Sequence, residues 1–331
     1  MNDRPGTLLG QRYRLAFSAG VGAMARVWAA TDVTTGERVA VKRILENARD
    51  PQDAASRFLD EIRISRTLEH PHVVAGLDHG VDDGAFLVLE WVEGTDAHAL
   101  VTRRERLTPG AAAAVALDLT DALVAVHGHR NGVLHRDITP GNVLLARDGR
   151  AFLADFGLAR ALACPRAQPA HLAAGKLAYL PPEVLRGRVH GVRADLYGLG
   201  VTLWELLAGR RLWAHVTEPA ARSHAWLFAR RPALRDCADV PKHLATVVDG
   251  CLATDPKHRP SNASALRRAL DEALVRDRVQ PDRAALGEAV WTATRNRPKA
   301  MPATRVRRSR ANYVTVSSIP IPDAIRARRA G

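Results

Sequence analysis

The sequence predicts a protein of mixed α and β structure in two lobes, and three observations carry that expectation. Its 331 residues exceed the size of one typical hydrophobic core, which favours a large two-lobed domain with an appendage. Hydrophobic residues make up 47% of the chain, ample for a packed interior. Strand-like runs at 13–17, 37–42 and 86–92 stand beside helical runs at 54–68 and 111–126.

Tyr13-Arg14-Leu15-Ala16-Phe17 alternates like an edge strand and leads into a stretch with Gly20 and Gly22. Glycines there let the backbone approach phosphates, with free N–H groups aimed at anionic oxygens. Glu37 to Lys42 is a strand that alternates onto a lysine, and a buried lysine is costly unless it is paired. From Ala54 to Leu68, Phe58, Ile62 and Leu68 fall near helical spacing, with Glu61 turned another way. His70-Pro71-His72-Val73-Val74 ends that helix and starts another strand, and Phe86 to Val92 is a further one. The longest apolar run, Ala111 to Val126, is interrupted by Asp118 and Asp121, which predicts a buried or amphipathic helix and no membrane span.

The centre of the chain is the stretch from Val133 to Gly157. Val143-Leu144-Leu145 and Ala151-Phe152-Leu153 flank Arg147-Asp148-Gly149-Arg150, a strong hairpin signal. Such a hairpin puts Asn142 and Asp155 side by side, where both could hold a hard cation such as Mg²⁺. Asp137 sits on the loop just before, placed to orient a hydroxyl or accept its proton.

Charge and cysteine usage narrow the class. The net charge is +13, of which +8 lies beyond Pro281, where 11 Lys/Arg face 3 Asp/Glu. No zinc-finger spacing, aromatic RNA-binding motif or basic recognition helix accompanies it, so no specific nucleic-acid partner is expected. Cys164, Cys237 and Cys251 show no paired spacing and suit a reducing compartment. Met1 to Gln11 is polar without a signal-peptide core, so a soluble, cytoplasmic protein is expected.

His135-Arg136-Asp137, Asn142 and Asp155-Phe156-Gly157, in this order and spacing, resemble the catalytic core of a protein kinase. Around them Gly20-Val21-Gly22 through Val27 resembles the glycine-rich loop, with Ala25 in the third glycine's place. Val39-Ala40-Val41-Lys42, Tyr179-Leu180-Pro181-Pro182-Glu183, Asp195 through Gly200 and Arg259 match later landmarks, so the resemblance covers about Gln11 to Leu274. It is strongest to the bacterial eukaryotic-like serine/threonine protein kinases. The implied fold is α+β, with an N-lobe of mainly antiparallel sheet plus helix C and a mainly helical C-lobe. The implied division is an extension over 1–10, N-lobe 11–91, C-lobe 92–275 and a basic flexible tail over 276–331.

The resemblance also implies roles and ligands. ATP and Mg²⁺ are the expected cofactors, and protein substrates and a regulatory protein the expected partners. Lys42, paired with Glu61, would position phosphates. Asp137 would orient the acceptor hydroxyl, and Asn142 with Asp155 would hold the metal. Val27, Ala40 and Leu144 would sandwich the adenine, Leu89 would be the gatekeeper, and the backbone from Glu90 to Val92 would bond the base. Glu183 would pair with Arg259, and Asp195 would brace the catalytic-loop backbone.

Two departures stand out. Thr139 occupies the place of the usual lysine after the catalytic aspartate, and Lys176 the place of the usual threonine, so Lys176 could restore the missing cation. Between Leu158 and Ala178 there is no Ser or Thr, which predicts no activation by phosphorylation of those residues there. The tail offers Ser309, Thr315, Ser317 and Ser318, which leaves autophosphorylation sites, a docking strip, an autoinhibitory pseudosubstrate and an inert solvated extension all open. The rival from another class is a pseudokinase scaffold that binds ATP and partners without catalysis.

Overall fold

Alternation along Arg38–Ile44 builds the first part of the molecule. Val39 and Val41 turn to one side of the strand, Ala40 and Lys42 to the other. The computed structural model describes residues 3–22, 25–45, 51–130, 132–157, 160–161, 177–214, 216 and 231–295. Contacts divide the described residues into two units, one of residues up to 51 with Gly76–Trp91, the other of Gln52–Ala75 with residues 92–295. A change of unit falls between Trp91 and Val92. The helix over 51–67 shares its contacts with the second unit.

Unit one is an antiparallel sheet in the order β1-β2-β3-β4-β6-β5. Its strands are β1 (Leu8–Leu9), β2 (Tyr13–Val21), β3 (Ala25–Asp32), β4 (Arg38–Ile44), β5 (Gly76–Val81) and β6 (Ala85–Glu90). Trp28, Val39, Val41, Phe86 and Val88 pack with Leu9, Tyr13 and Leu15 as its core. Arg43 is buried, and its guanidinium donates to the carbonyls of Asp82 and Asp83 at 2.8 Å each. The expected strand from Val73 starts later, at Gly76. His72 to Val74 instead meets Leu153 through a single parallel bridge, with Val74 N–H donating to the Leu153 carbonyl at 3.0 Å.

Unit two is helical around one large core. After α1 (Pro51–Thr67), β7 (Gly94–Asp96) and α2 (Ala97–Thr102), the apolar run forms α3 (Pro109–His127). Thr108 caps α3 by accepting from Ala111 N–H, and proline stands in its first turn. Its 19 residues are long and apolar enough to cross a membrane, yet most of them are buried inside this unit. Asp118 explains the interruption of the run. It is buried, accepts from Ala151 N–H at 2.9 Å, and receives the Arg283 guanidinium on both oxygens.

The hairpin follows as β9 (Val143–Ala146) and β10 (Ala151–Leu153), after β8 (Val133–Leu134), which pairs with β11 (Arg160–Ala161). Helices α4 (Pro182–Leu185), α5 (Val192–Ala208), α6 (Leu234–Cys237), α7 (Lys242–Cys251) and α8 (Ala263–Asp277) complete the family-like part. Every residue of α5 from Ala194 to Ala208 is buried, and Gly209, at φ 65°, ends it in the left-handed region.

The expected flexible tail from 276 is corrected in its first part. Residues 283–294 form α9, with Leu286, Val290 and Ala293 buried in the core of unit two. These three lie at helical spacing, a signal that the prolines and arginines further along obscured. Residues 296–331 lie outside the described residues, and with them the tail hydroxyls.

Candidate active site

The β9–β10 register, Val143 opposite Leu153 and Leu145 opposite Ala151, closes on a four-residue turn in which Gly149 takes φ 79°. At the open end Ala154 N–H donates to the Asn142 carbonyl at 2.9 Å, which sets Asn142 and Asp155 at the same end of the hairpin. The Asn142 amide donates to the Asp137 backbone carbonyl at 2.8 Å and to its carboxylate at 2.9 Å. That fixes the amide's orientation and leaves its oxygen as an acceptor. Asp155, at φ 65°, accepts from Gly157 N–H at 3.1 Å. An amide oxygen and a carboxylate, with a second carboxylate bonded to the first, form a donor set that suits a hard divalent cation.

Two non-glycine residues here hold positive φ, Arg136 at 66° and Asp155 at 65°, a conformation that persists only where surroundings impose it. His135 does part of that. Its Nδ1 accepts from Asp137 N–H at 3.3 Å, so Nε2 carries the proton and donates to the Ala154 carbonyl at 3.2 Å. Burial lowers the imidazole's pKa, in keeping with this neutral form. The ring packs 4.7 Å from that of Phe156.

Asp195, at the start of α5, does the rest. Its carboxylate accepts from His135 N–H at 2.9 Å and Arg136 N–H at 2.8 Å. Burial pushes its pKa up, but the hydrogen bonds from His127 and His190 outweigh that and hold it well below the usual carboxylate range. Gly198, one turn along α5, meets the same loop, since a Cβ there would stand 2.7 Å from the Ile138 carbonyl. Glu183 and Arg259 form the expected buried pair, 2.7 and 2.8 Å across two parallel bonds.

Unit one places several of the remaining candidates on one face of its sheet. Gly20 lies opposite Val27, Val27 opposite Lys42 and Ala40 opposite Leu89, while Trp28, Val39, Val41 and Val88 form the core on the other face. Gly22 N–H donates to the Ala25 carbonyl at 2.8 Å across the tip of that loop. Glu90 ends β6 and Val92 opens unit two, where Leu144 sits in β9. Lys42 is 8% exposed and Glu61 3%, so both charged groups are withdrawn from water.

Glu61 corrects one expectation. It shares the buried stripe of α1 with Ala54, Phe58 and Ile62 instead of turning away. A carboxylate on an apolar stripe reads as a helix surface residue until its tertiary surroundings are known. Thr139 is buried beside the loop, and Lys176 lies outside the described residues. Sequence reasoning missed His127, His190 and Asp118. Nothing in a lone histidine or in an aspartate within an apolar run announces a partner 68, 5 or 33 positions away.

Comparisons with known proteins identify the family. The family described as protein kinase domain matches residues 13–270. The chain is similar to the serine/threonine-protein kinase PkaA of Streptomyces coelicolor, 33% identical over 311 residues, covering 89% of this chain and 56% of the relative. It is also similar to PrkC of Bacillus subtilis, at 30% identity over 86% of this chain and 44% of the relative. PkaB of S. coelicolor is 35% identical over 80% of this chain and 64% of the relative. The chain thus spans about half the length of PkaA and PrkC. With a matched stretch that takes in the glycine loop, the braced HRD loop, the hairpin and the Glu183–Arg259 pair, the chain belongs to the protein kinase domain family.

Proposed function

We propose that this chain is an ATP-dependent protein kinase that transfers the γ-phosphoryl group to serine or threonine hydroxyls of protein substrates. The observation that supports it best is the Asp137–Asn142 bond at 2.9 Å, on a loop whose backbone is held by Asp195. A scaffold that only bound nucleotide would need no such placement of a carboxylate. The serine/threonine assignment is supported by the names of the relatives.

When bound, Mg-ATP supplies the phosphoryl group and the divalent charge that offsets its oxygens. Asn142 and Asp155 present the oxygens that would hold the cation. Lys42 supplies an ammonium for phosphate oxygens, and Glu61 is assigned as its partner. The face carrying Gly20, Gly22, Ala25, Val27, Ala40 and Leu89, with Glu90, Val92 and Leu144, is assigned to the nucleotide. Asp137 orients the acceptor hydroxyl and receives its proton as the new O–P bond forms and the bond from the γ-phosphorus to the bridging oxygen breaks, releasing ADP. Positioning and electrostatics carry most of the rate in such a reaction.

Lys176 is assigned the cation that Thr139 cannot provide. Lys176→Ala then lowers kcat far more than Lys257→Ala, and equal effects would sink that assignment. Autophosphorylation, in residues other than 158–178, and control by a partner protein complete the reading.

The deciding experiment is labelled-phosphate transfer from Mg-ATP by wild type beside Asp137→Asn, with the protein itself and a generic basic protein as acceptors. Incorporation that vanishes in the variant, into phosphoserine or phosphothreonine, is the expected result. Absence of incorporation by wild type that still binds ATP would replace the kinase reading with a scaffold.

A further inference from the structure

We infer that His190 is a positioning residue for phosphoryl transfer, holding the loop that carries Asp137 through its bond to Asp195; this rests on the kinase reading above. The two oxygens of Asp195 divide four N–H donors evenly. Oδ2 takes His135 N–H at 2.9 Å and His127 Nε2 at 3.0 Å. Oδ1 takes Arg136 N–H at 2.8 Å and His190 Nε2 at 2.9 Å. Each backbone amide of the loop therefore shares its oxygen with one imidazole. His190 fixes the oxygen that holds Arg136, the residue at φ 66° immediately before Asp137.

The setting of His190 argues for this role over simple packing. Residues 186–189 are all exposed, Val189 at 64%, and His190 alone turns inward, to 6%. Burying an imidazole costs desolvation that an apolar plug would avoid, so its donor is the gain. It also lines a cavity of about 10 Å³ together with Asp137, Thr139 and Asp195, room for a single water. His127 comes from the buried helix α3, and among the described residues its Nδ1 has no hydrogen-bond partner, so Nε2, on Asp195, is its one bonded nitrogen. Both imidazoles thus serve one carboxylate, and only His190 arrives from an exposed segment.

The test uses the full chain with His190→Leu and His190→Gln, whose amide nitrogen comes near the position of Nε2. Leucine should lower kcat about tenfold, with KM for ATP changed less than about twofold, since one donor to a buried anion is lost. Amide hydrogen exchange at His135 and Arg136 should quicken in parallel, and glutamine should restore both. Wild-type kcat and exchange in the leucine variant would overturn the inference. So would equal losses in both variants that track the folded fraction seen by calorimetry. If leucine prevents folding, the comparison of asparagine, one methylene too short, with glutamine decides in the same way. An inactive wild type would count against the kinase reading, while the exchange comparison would still judge His190.

Discussion

Arg259 sets both ends of its guanidinium on the Glu183 carboxylate, Nη1 to Oε1 at 2.7 Å and Nη2 to Oε2 at 2.8 Å. The arginine side chain is 0% exposed and also donates to the carbonyls of Ala253 and Arg193. The pair joins α4 to the turn before α8 across 76 positions of sequence.

Removing one partner leaves the other charge buried, whereas removing both does not. Arg259→Met should destabilise by about 3–5 kcal/mol in urea denaturation, and Glu183→Gln with Arg259→Met by clearly less than the two single costs added. Additive losses would show that the charges do not act as a pair.

Glu205 on α5 accepts from Leu212 N–H at 2.9 Å and from the Tyr179 hydroxyl at 3.1 Å. Burial raises its pKa from 4.5 to about 7, against the pull of those two donors. The folded state thus binds a proton more firmly than the unfolded state, so stability is full below pH 4.5 and falls as pH rises to about 7. The loss is on the order of 3 kcal/mol. Glu205→Gln, with the same shape and no charge, should flatten this part of the stability profile in urea midpoints at several pH values. An unchanged slope in the variant would assign it to other groups.

Gly287 in α9 separates helix propensity from packing by sign. Alanine is the better helix former by about 1 kcal/mol and on that ground stabilises. A Cβ at Gly287, however, would stand 2.6 Å from the Arg147 carbonyl in the β9–β10 turn. Contact with a backbone carbonyl should win, so Gly287→Ala lowers the melting temperature. A higher one would mean that α9 docks less tightly than its geometry indicates.

Arg283 tests the same junction from the charge side. Its guanidinium donates to both oxygens of Asp118 and to the Gly149 carbonyl at 3.1 Å. Arg283→Ala removes donors from a buried carboxylate and should cost about 1–3 kcal/mol. A loss below a few tenths would show that Ala151 N–H and His72, whose Nε2 stands 3.3 Å from the carboxylate, suffice for Asp118.

The hairpin was legible because its signals are local. Asp148-Gly149 between two apolar triplets dictates both the turn and the register, and the register alone sets Asn142 and Asp155 together. The face of β4 was legible for the same reason, since alternation puts Lys42 opposite Val39 and Val41. The inward turn of Glu61 was not, because helical spacing marks an apolar stripe and cannot say that a carboxylate belongs on it. Nor was α9, whose three apolar positions, Leu286, Val290 and Ala293, sit in a stretch counted for its charge.

By itself the sequence determined the order of the motifs, the strands and helices that carry them, and hence the family. These follow from residue type and short-range spacing, which act over a turn or a strand. The tertiary structure decided that Asp195, expected to brace the catalytic loop, also collects His127 and His190, and that α9 closes over the hairpin through Asp118 and Arg283. Those bonds join groups up to 165 positions apart, and a buried carboxylate acquires its partners only when the packed chain brings them to it.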